Sequence, residues 1–168
     1  MSDPADPADP ADRPGPPPGP SGSPGSSGPP GPSELLGPPE PPGRTFLVTG
    51  GNTGIGRATA TALARSGGRI YIACRSASAG SAAVEEIKAA SGSDSVWLLT
   101  LDLASLASVR DCAAAFLKRD EPLHVVINNA GLGGQRGLTA DGFELTFGVN
   151  HLGHFALTNL LLERLKAS

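Results

Sequence analysis

The eight residues Thr49-Gly50-Gly51-Asn52-Thr53-Gly54-Ile55-Gly56 constrain this chain more than any other stretch. Ahead of them lies an apolar, β-like segment, Thr45-Phe46-Leu47-Val48, and behind them a helix-like one from Arg57 to Arg65. A strand, a glycine turn and a helix in that order build an anion site. Glycines let the backbone turn sharply and approach a phosphate, and the first N–H groups of the helix point at it. A glycine-rich turn alone also serves ordinary tight turns, so the flanking strand and helix give the motif its weight. Gly50, Gly54 and Gly56 are therefore expected to hold a pyrophosphate. Asn52 and Thr53 either sit beside the cofactor or simply stabilise the turn.

Two different polymers are joined in this chain. Sixteen of the seventeen prolines precede Arg44, together with runs of Gly and Ser and very little that is apolar. Such a segment cannot bury enough surface to offset its ordering entropy, so residues 1–43 are expected to form a disordered Pro/Gly-rich acidic arm. Five Gly-x-y triplets run from Gly19 to Ser33, too few for a collagen helix without a nucleating domain. Pro29 and Pro32 have the spacing that SH3 and WW grooves accept, which compositional bias explains better. Asp3, Asp6, Asp9, Asp12, Glu34 and Glu40 against Arg13 give the arm −5 of a chain total of −3, so residues 44–168 carry +2. These are enough for one modest domain. They contain no basic run that would suggest a nucleic-acid partner. Cys74 and Cys112 have neither metal nor redox spacing, so no disulfide framework and no zinc site is expected. Without a basic-then-apolar leader or an apolar run of membrane-spanning length, the expected location is cytoplasmic.

From Arg44 onward, short apolar runs alternate with helical periodicity. Strands are expected over 45–49, 69–74, 96–101 and 123–128, and helices over 54–66, 79–90 and 105–119, the last with Ser105 as cap. A long helix follows from about Asp141 to Lys166. Strand–helix alternation with fully apolar strands predicts an α/β fold, a parallel sheet with helices on both faces. Right-handed crossovers then give a Rossmann-type half with strand order 3-2-1-4. In such a sheet the ligand lies beyond the carboxyl ends of the strands, between strands 1 and 4. The candidate residues converge there: Gly50, Gly54 and Gly56 end the first strand, Arg75 the second, Asp102 the third and Asn128 to Gly131 the fourth.

About twenty residues past the glycines, a cofactor without a 2′-phosphate meets an Asp or Glu that accepts from its ribose hydroxyl. This chain has Cys74 and Arg75 there. A guanidinium attracts a 2′-phosphate that a carboxylate would repel, so NADP(H) is preferred over NAD(H). An Arg75 stacked on adenine or facing solvent is the alternative. Arg57 either adds positive potential or is a solvated helix residue. Asp102 suits a cap for the helix beginning near Ser105. Asn150 is a costly residue inside a helix, because its side chain competes for backbone partners, and the flanking Gly148 and Gly153 weaken that helix further. Such a cost suggests a functional use. His151 and His154 lack a carboxylate or Cys partner and are expected to be structural or substrate-facing, with no metal bound. His124, at a strand start, needs no special role.

The spacing Thr-Gly-x-x-x-Gly-Ile-Gly over 49–56 resembles the short-chain dehydrogenase/reductase family. So do Asn128-Asn129-Ala130-Gly131, Asp102-Leu103 after the third strand, and Val149-Asn150-His151-Leu152-Gly153-His154-Phe155. The resemblance covers 44–168 with four motifs in the family's order. It is nearest to the retinol dehydrogenase-like branch through Asn52-Thr53-Gly54-Ile55-Gly56, Ala73-Cys74-Arg75 and Phe147-Gly148-Val149-Asn150 onward. It implies an NADP(H)-dependent oxidoreductase that interconverts alcohol and carbonyl groups on a small lipophilic, retinol- or retinal-like substrate. It places Gly50, Asn52, Thr53, Gly54, Ile55, Gly56, Arg75, Asp102, Leu103, Asn129, Ala130 and Gly131 at the cofactor. Asp102 then meets the adenine amino group, and Asn128 to Gly131 brace the strand end beside the ribose. Asn150 matches the catalytic Asn, which holds a water in a proton relay to a Lys. The helix from Asp141 to Lys166 matches one that packs in a homodimer interface.

Carbonyl reduction by hydride needs a proton donor for the developing alkoxide. The family supplies it from a Tyr four residues before a Lys, with a Ser orienting the substrate oxygen. The single tyrosine here, Tyr71, has Arg75 in that place, so no Tyr-x-x-x-Lys is present. The expectation is a cofactor-binding part without the catalytic Ser, Tyr and Lys. It is either an incomplete product of an oxidoreductase or a catalytically inactive nucleotide-binding or interaction fragment. Such a part is expected to leave strand 4 with an unpaired edge and to expose Leu157, Leu160 and Leu161.

Overall fold

The computed structural model describes residues 43–168. The arm expected over 1–43 lies outside the described residues except for Gly43. Elements follow in the expected order: β1 Thr45–Thr49, α1 Gly54–Arg65, β2 Arg69–Cys74, α2 Ala77–Ser91, β3 Val96–Thr100, α3 Leu106–Leu117 and β4 Val125–Ile127. Then come a short helix, α4 Leu145–Phe147, a π-helical turn Gly148–Gly153, and α5 His154–Lys166. All strands are parallel, in the order β3-β2-β1-β4.

Side chains on a strand alternate between faces, and the core follows that period. Phe46, Ile70, Ile72, Val96 and Leu98 pack on one face with Ala60, Ala64, Ala83, Val84 and Ile87 of α1 and α2. Leu47, Tyr71, Ala73, Trp97 and Leu99 pack on the other with Val109, Phe116, Leu157 and Leu161 of α3 and α5. This two-sided cover is why the strands carry almost no polar residues.

Capping explains where the helices start. Ser105 is the N-cap of α3, as expected, its Oγ accepting the Ser108 N–H at 3.3 Å. Ser76 does the same for α2, accepting from Ala79 at 3.3 Å, and so α2 begins two residues before the expected 79. The long helix expected from Asp141 departs most from expectation. It begins at Leu145, where the Glu144 carboxylate accepts the N–H groups of Phe147 and Thr146 at 2.7 and 2.9 Å. Those two bonds, Phe147 first, hold the Glu144 carboxyl below its ordinary range. Asp141 instead accepts the Leu106 N–H at 2.8 Å and helps to cap α3. The weak point around Asn150 becomes a π turn, a helical irregularity frequent at functional sites.

Leu157 and Leu161 correct the expectation of exposure. Both are fully buried, while Leu160 is 44 % exposed. Positions 157 and 161 are four apart and share the face turned to the core, whereas 160 falls to its side. Among the described residues β4 pairs with β1 alone, and its three residues are only half-buried. No helix among the described residues is long and apolar enough to cross a membrane.

Candidate functional site

A cavity of about 700 Å³ opens at the carboxyl edge of the sheet, within the range of cofactor pockets. The twelve residues that the resemblance places at the cofactor line it, brought there by the turns after β1, β2, β3 and β4, whereas Asn128 stays outside the lining and donates to Thr158 Oγ1 at 3.1 Å. After β1 the chain turns through Gly50, at φ +67°, and Gly54, at φ +51°, a region open to glycine at little cost. A Cβ on the buried Gly56 would meet the Gly50 carbonyl and the Asn129 side chain, so α1 starts this close to β1 only with glycine there.

Thr53 occupies the N-cap of α1 in an extended conformation, yet its hydroxyl makes no capping bond. No hydrogen bond stabilising the turn forms through the Asn52 side chain either, among the described residues. The first turn of α1 also lacks an acidic residue. Its N–H groups are therefore left without a side-chain acceptor beside the cavity, at the positive end of the helix.

Arg75 follows β2 and is exposed at the cavity, with no ion pair or hydrogen bond among the described residues. Arg57 is engaged elsewhere, paired with Glu86 of α2. Cys74 lines the cavity too, but burial raises its thiol pKa, and burial pushes Cys112 up to about 12, so neither forms a thiolate readily. After β3, Asp102 does not cap α3. Its Oδ1 accepts from the Ala104 N–H at 2.9 Å and closes the turn, while its own N–H donates to Ser108 Oγ at 2.9 Å.

The β4 end is organised by Thr49, which is fully buried. Its Oγ accepts the N–H groups of Asn129 and Ala130, both at 3.0 Å, and its carbonyl accepts from Asn129 Nδ2 at 2.9 Å. Asn150 lies outside the cavity lining. Its amide clamps Leu132 at two points, Oδ1 accepting the N–H and Nδ2 donating to the carbonyl, each at 2.9 Å. Leu132 and Val149 do line the cavity, so Asn150 joins the π turn to the chain after β4. Thr49 was legible as the last residue before the glycines. Val149 was legible only as part of the Asn150 motif, and Ser76, Leu132, Gln135 and Leu145, also at the cavity, carry no periodic or motif signal of a site.

The histidines separate. His151 is exposed and stacks between Phe147 and Phe155, with ring centroids at 5.2 and 6.2 Å. His154 is buried and faces Thr49 Oγ at 2.9 Å. No group of His, Cys, Asp and Glu among the described residues could hold a metal ion. The Nδ1 of His124 accepts the Thr45 N–H at 2.9 Å, which gives it a structural role at the strand start. Tyr71 is fully buried and donates to Glu121 at 2.8 Å. Burial, then the Glu121 bond, raises its pKa.

A family model described as short chain dehydrogenase matches residues 44–168. The chain is 52 % identical over 128 residues to retinol dehydrogenase 11 of Mus musculus, covering 76 % of this chain and 40 % of that protein. It is 52 % identical to retinol dehydrogenase 13 of Homo sapiens, covering 76 % of this chain and 39 % of that protein. This chain thus spans about two fifths of the length of these relatives. Among solved structures, the Pseudomonas aeruginosa RhlG/NADP active-site complex superposes with a TM-score of 0.65 at 30 % identity, covering 76 % of this chain and 50 % of that one. An actinorhodin polyketide ketoreductase with NADPH superposes with a TM-score of 0.61 at 27 % identity, covering 73 % and 47 %.

Proposed function

Because this chain belongs to the short-chain dehydrogenase family of oxidoreductases, we propose that residues 44–168 form a nicotinamide dinucleotide-binding domain that prefers NADP(H) over NAD(H). Arg75, unpaired among the described residues, carries the preference. It stands where an NAD site has a carboxylate, and its guanidinium suits a 2′-phosphate. NADP and NADPH are named for two of the solved relatives. The uncapped first turn of α1 and the glycine-only approach at Gly56 fit a pyrophosphate. The loop from Gly50 to Gly56, with Asn52, Thr53 and Ile55, holds that group. Asp102 and Leu103 border the adenine, and Asn129, Ala130 and Gly131 border a ribose. A bound nicotinamide supplies or accepts a hydride.

The substrate is a small lipophilic alcohol or carbonyl compound, in keeping with the likeness to retinol dehydrogenases. Asn150 orders the loop and π turn where that substrate and the proton path meet. The proton itself is not assigned to any side chain of these 168 residues, since Tyr71 is committed to Glu121. The commitment of Tyr71 to Glu121 is compatible with a second reading, a catalytically inactive nucleotide-binding or interaction fragment. Exposed Phe155 and Leu160 on α5 offer a homodimer face in either case.

Titration of the purified chain and of Arg75→Asp with NADPH and NADH tests the preference. The substitution is expected to weaken NADPH binding by about tenfold or more relative to NADH. An unchanged preference removes the argument from Arg75. In a hydride-transfer assay with NADPH and retinaldehyde we expect no turnover, and turnover would sink the second reading.

A further inference from the structure

His154 is the one buried imidazole, among the described residues, that the proposed chemistry leaves without a task. It lies one turn past Asn150, and its two nitrogens face different elements. Nδ1 faces the Asn150 carbonyl at 3.1 Å, and a carbonyl can only accept, so Nδ1 carries the proton. In the neutral ring Nε2 is then an acceptor, and the Thr49 hydroxyl, 2.9 Å away, is its donor. With its proton directed there, Thr49 Oγ keeps both lone pairs for the N–H groups of Asn129 and Ala130. The other acceptor within reach of that hydroxyl is the Ile127 carbonyl at 3.4 Å, a long and weak bond.

We propose that His154 is a positioning residue for the cavity: as the Nδ1–H tautomer it sets the direction of the Thr49 hydroxyl and so holds the Asn129–Ala130 edge against β1. The same ring ties the carbonyl of Asn150 to β1, linking the π turn to the switch point of the sheet. The ligand consequence rests on the dinucleotide reading given above; the geometric one does not.

Two measurements need no ligand. Imidazole ¹⁵N shifts of the wild-type chain must show a protonated Nδ1 and a bare Nε2, and the opposite tautomer overturns the proposal. Amide exchange at Asn129 and Ala130 must quicken about tenfold in His154→Leu, with Ile70 unchanged, and return toward wild type in His154→Gln, whose amide oxygen again accepts from Thr49. Equal exchange in wild type and His154→Leu overturns it. With ligand, NADPH affinity must fall about tenfold in His154→Leu and recover in His154→Gln. An unchanged affinity in a folded His154→Leu overturns the role in positioning. A wild-type chain with no affinity for NADPH defeats the dinucleotide reading, and the tautomer and exchange results then decide His154. If His154→Leu does not fold, the tautomer and His154→Gln decide it.

Discussion

At the amino end of the sheet, side chains close on one another. Arg69 pairs with Glu121 at 2.8 Å, Tyr71 donates to the same carboxylate, and Arg164 reaches the Glu121 carbonyl at 3.0 Å. Arg119 lies over the Tyr71 ring and Arg69 over Trp97. At the carboxyl end the same strands run into glycines, a helix without a side-chain cap and an arginine that has no partner among the described residues. The difference shows how one sheet separates stability from binding. Polar groups satisfied within the protein hold the closed end together. Groups left for a ligand at the open end add little to the stability of the free protein and much to recognition.

The largest expected break of this contrast is Gly56→Ala. A Cβ there meets the Gly50 carbonyl and the Asn129 side chain. Overpacking of about 3 kcal/mol at the turn lowers NADPH affinity about a hundredfold, read by fluorescence titration, while the Tyr71 end keeps its near-ultraviolet signature. Next comes Glu121→Ala at the closed end. It leaves the Tyr71 hydroxyl and Arg69 without their shared acceptor, and unfolding in urea should show a loss of about 2 kcal/mol, moderated by the partial exposure of that carboxylate. NADPH affinity should stay the same; a parallel fall would mean that the two ends are not separate.

A finer test compares two caps. Ser105→Ala removes a side-chain cap and should cost about 1 kcal/mol. Thr53→Ala removes a hydroxyl that caps nothing and should change stability by only about 0.3 kcal/mol. Equal losses would place a cap bond on Thr53 and weaken the case for a free anion site. Smaller than the loss of the Ser105 cap is a slope with pH. Burial lowers the His154 pKa from its ordinary 6.5, so below that value the unfolded chain binds the proton more readily and stability falls as pH falls. Between pH 7 and 6 the loss is at most about 0.7 kcal/mol, and His154→Gln should flatten that part of the profile.

Much of this was legible in order and period. Apolar runs and helical spacing were enough for the four strands, their parallel sense and the order 3-2-1-4. Asp141 and Glu144 were not legible as caps, because which of two nearby carboxylates meets a helix end depends on the path of the loop. Leu157 and Leu161 were expected at the surface because a sheet ending at strand 4 leaves helix faces without strands to cover. Both are buried in the cluster that α5 forms with α3 and the sheet face of Leu47, Tyr71 and Leu99, with no further strand needed. Asp102 suited a cap as well as the favoured cofactor contact, and only the Ala104 bond separates the turn-closing geometry from the cap.

The sequence by itself determined the turn at 49–56, the family it resembles, and which residues collect at the carboxyl edge, since a glycine turn between strand and helix has few conformations. The tertiary structure alone decided what the polar groups at that edge are free to do. Among the described residues Thr53 makes no capping bond and Arg75 is unpaired, while Arg57 is taken by Glu86 and His154 is locked between Thr49 and Asn150. Those partners lie 29 residues away for Arg57 and 105 for the Thr49–His154 pair. Hydrogen bonding at such separations is set by packing in space, which local periodicity does not encode.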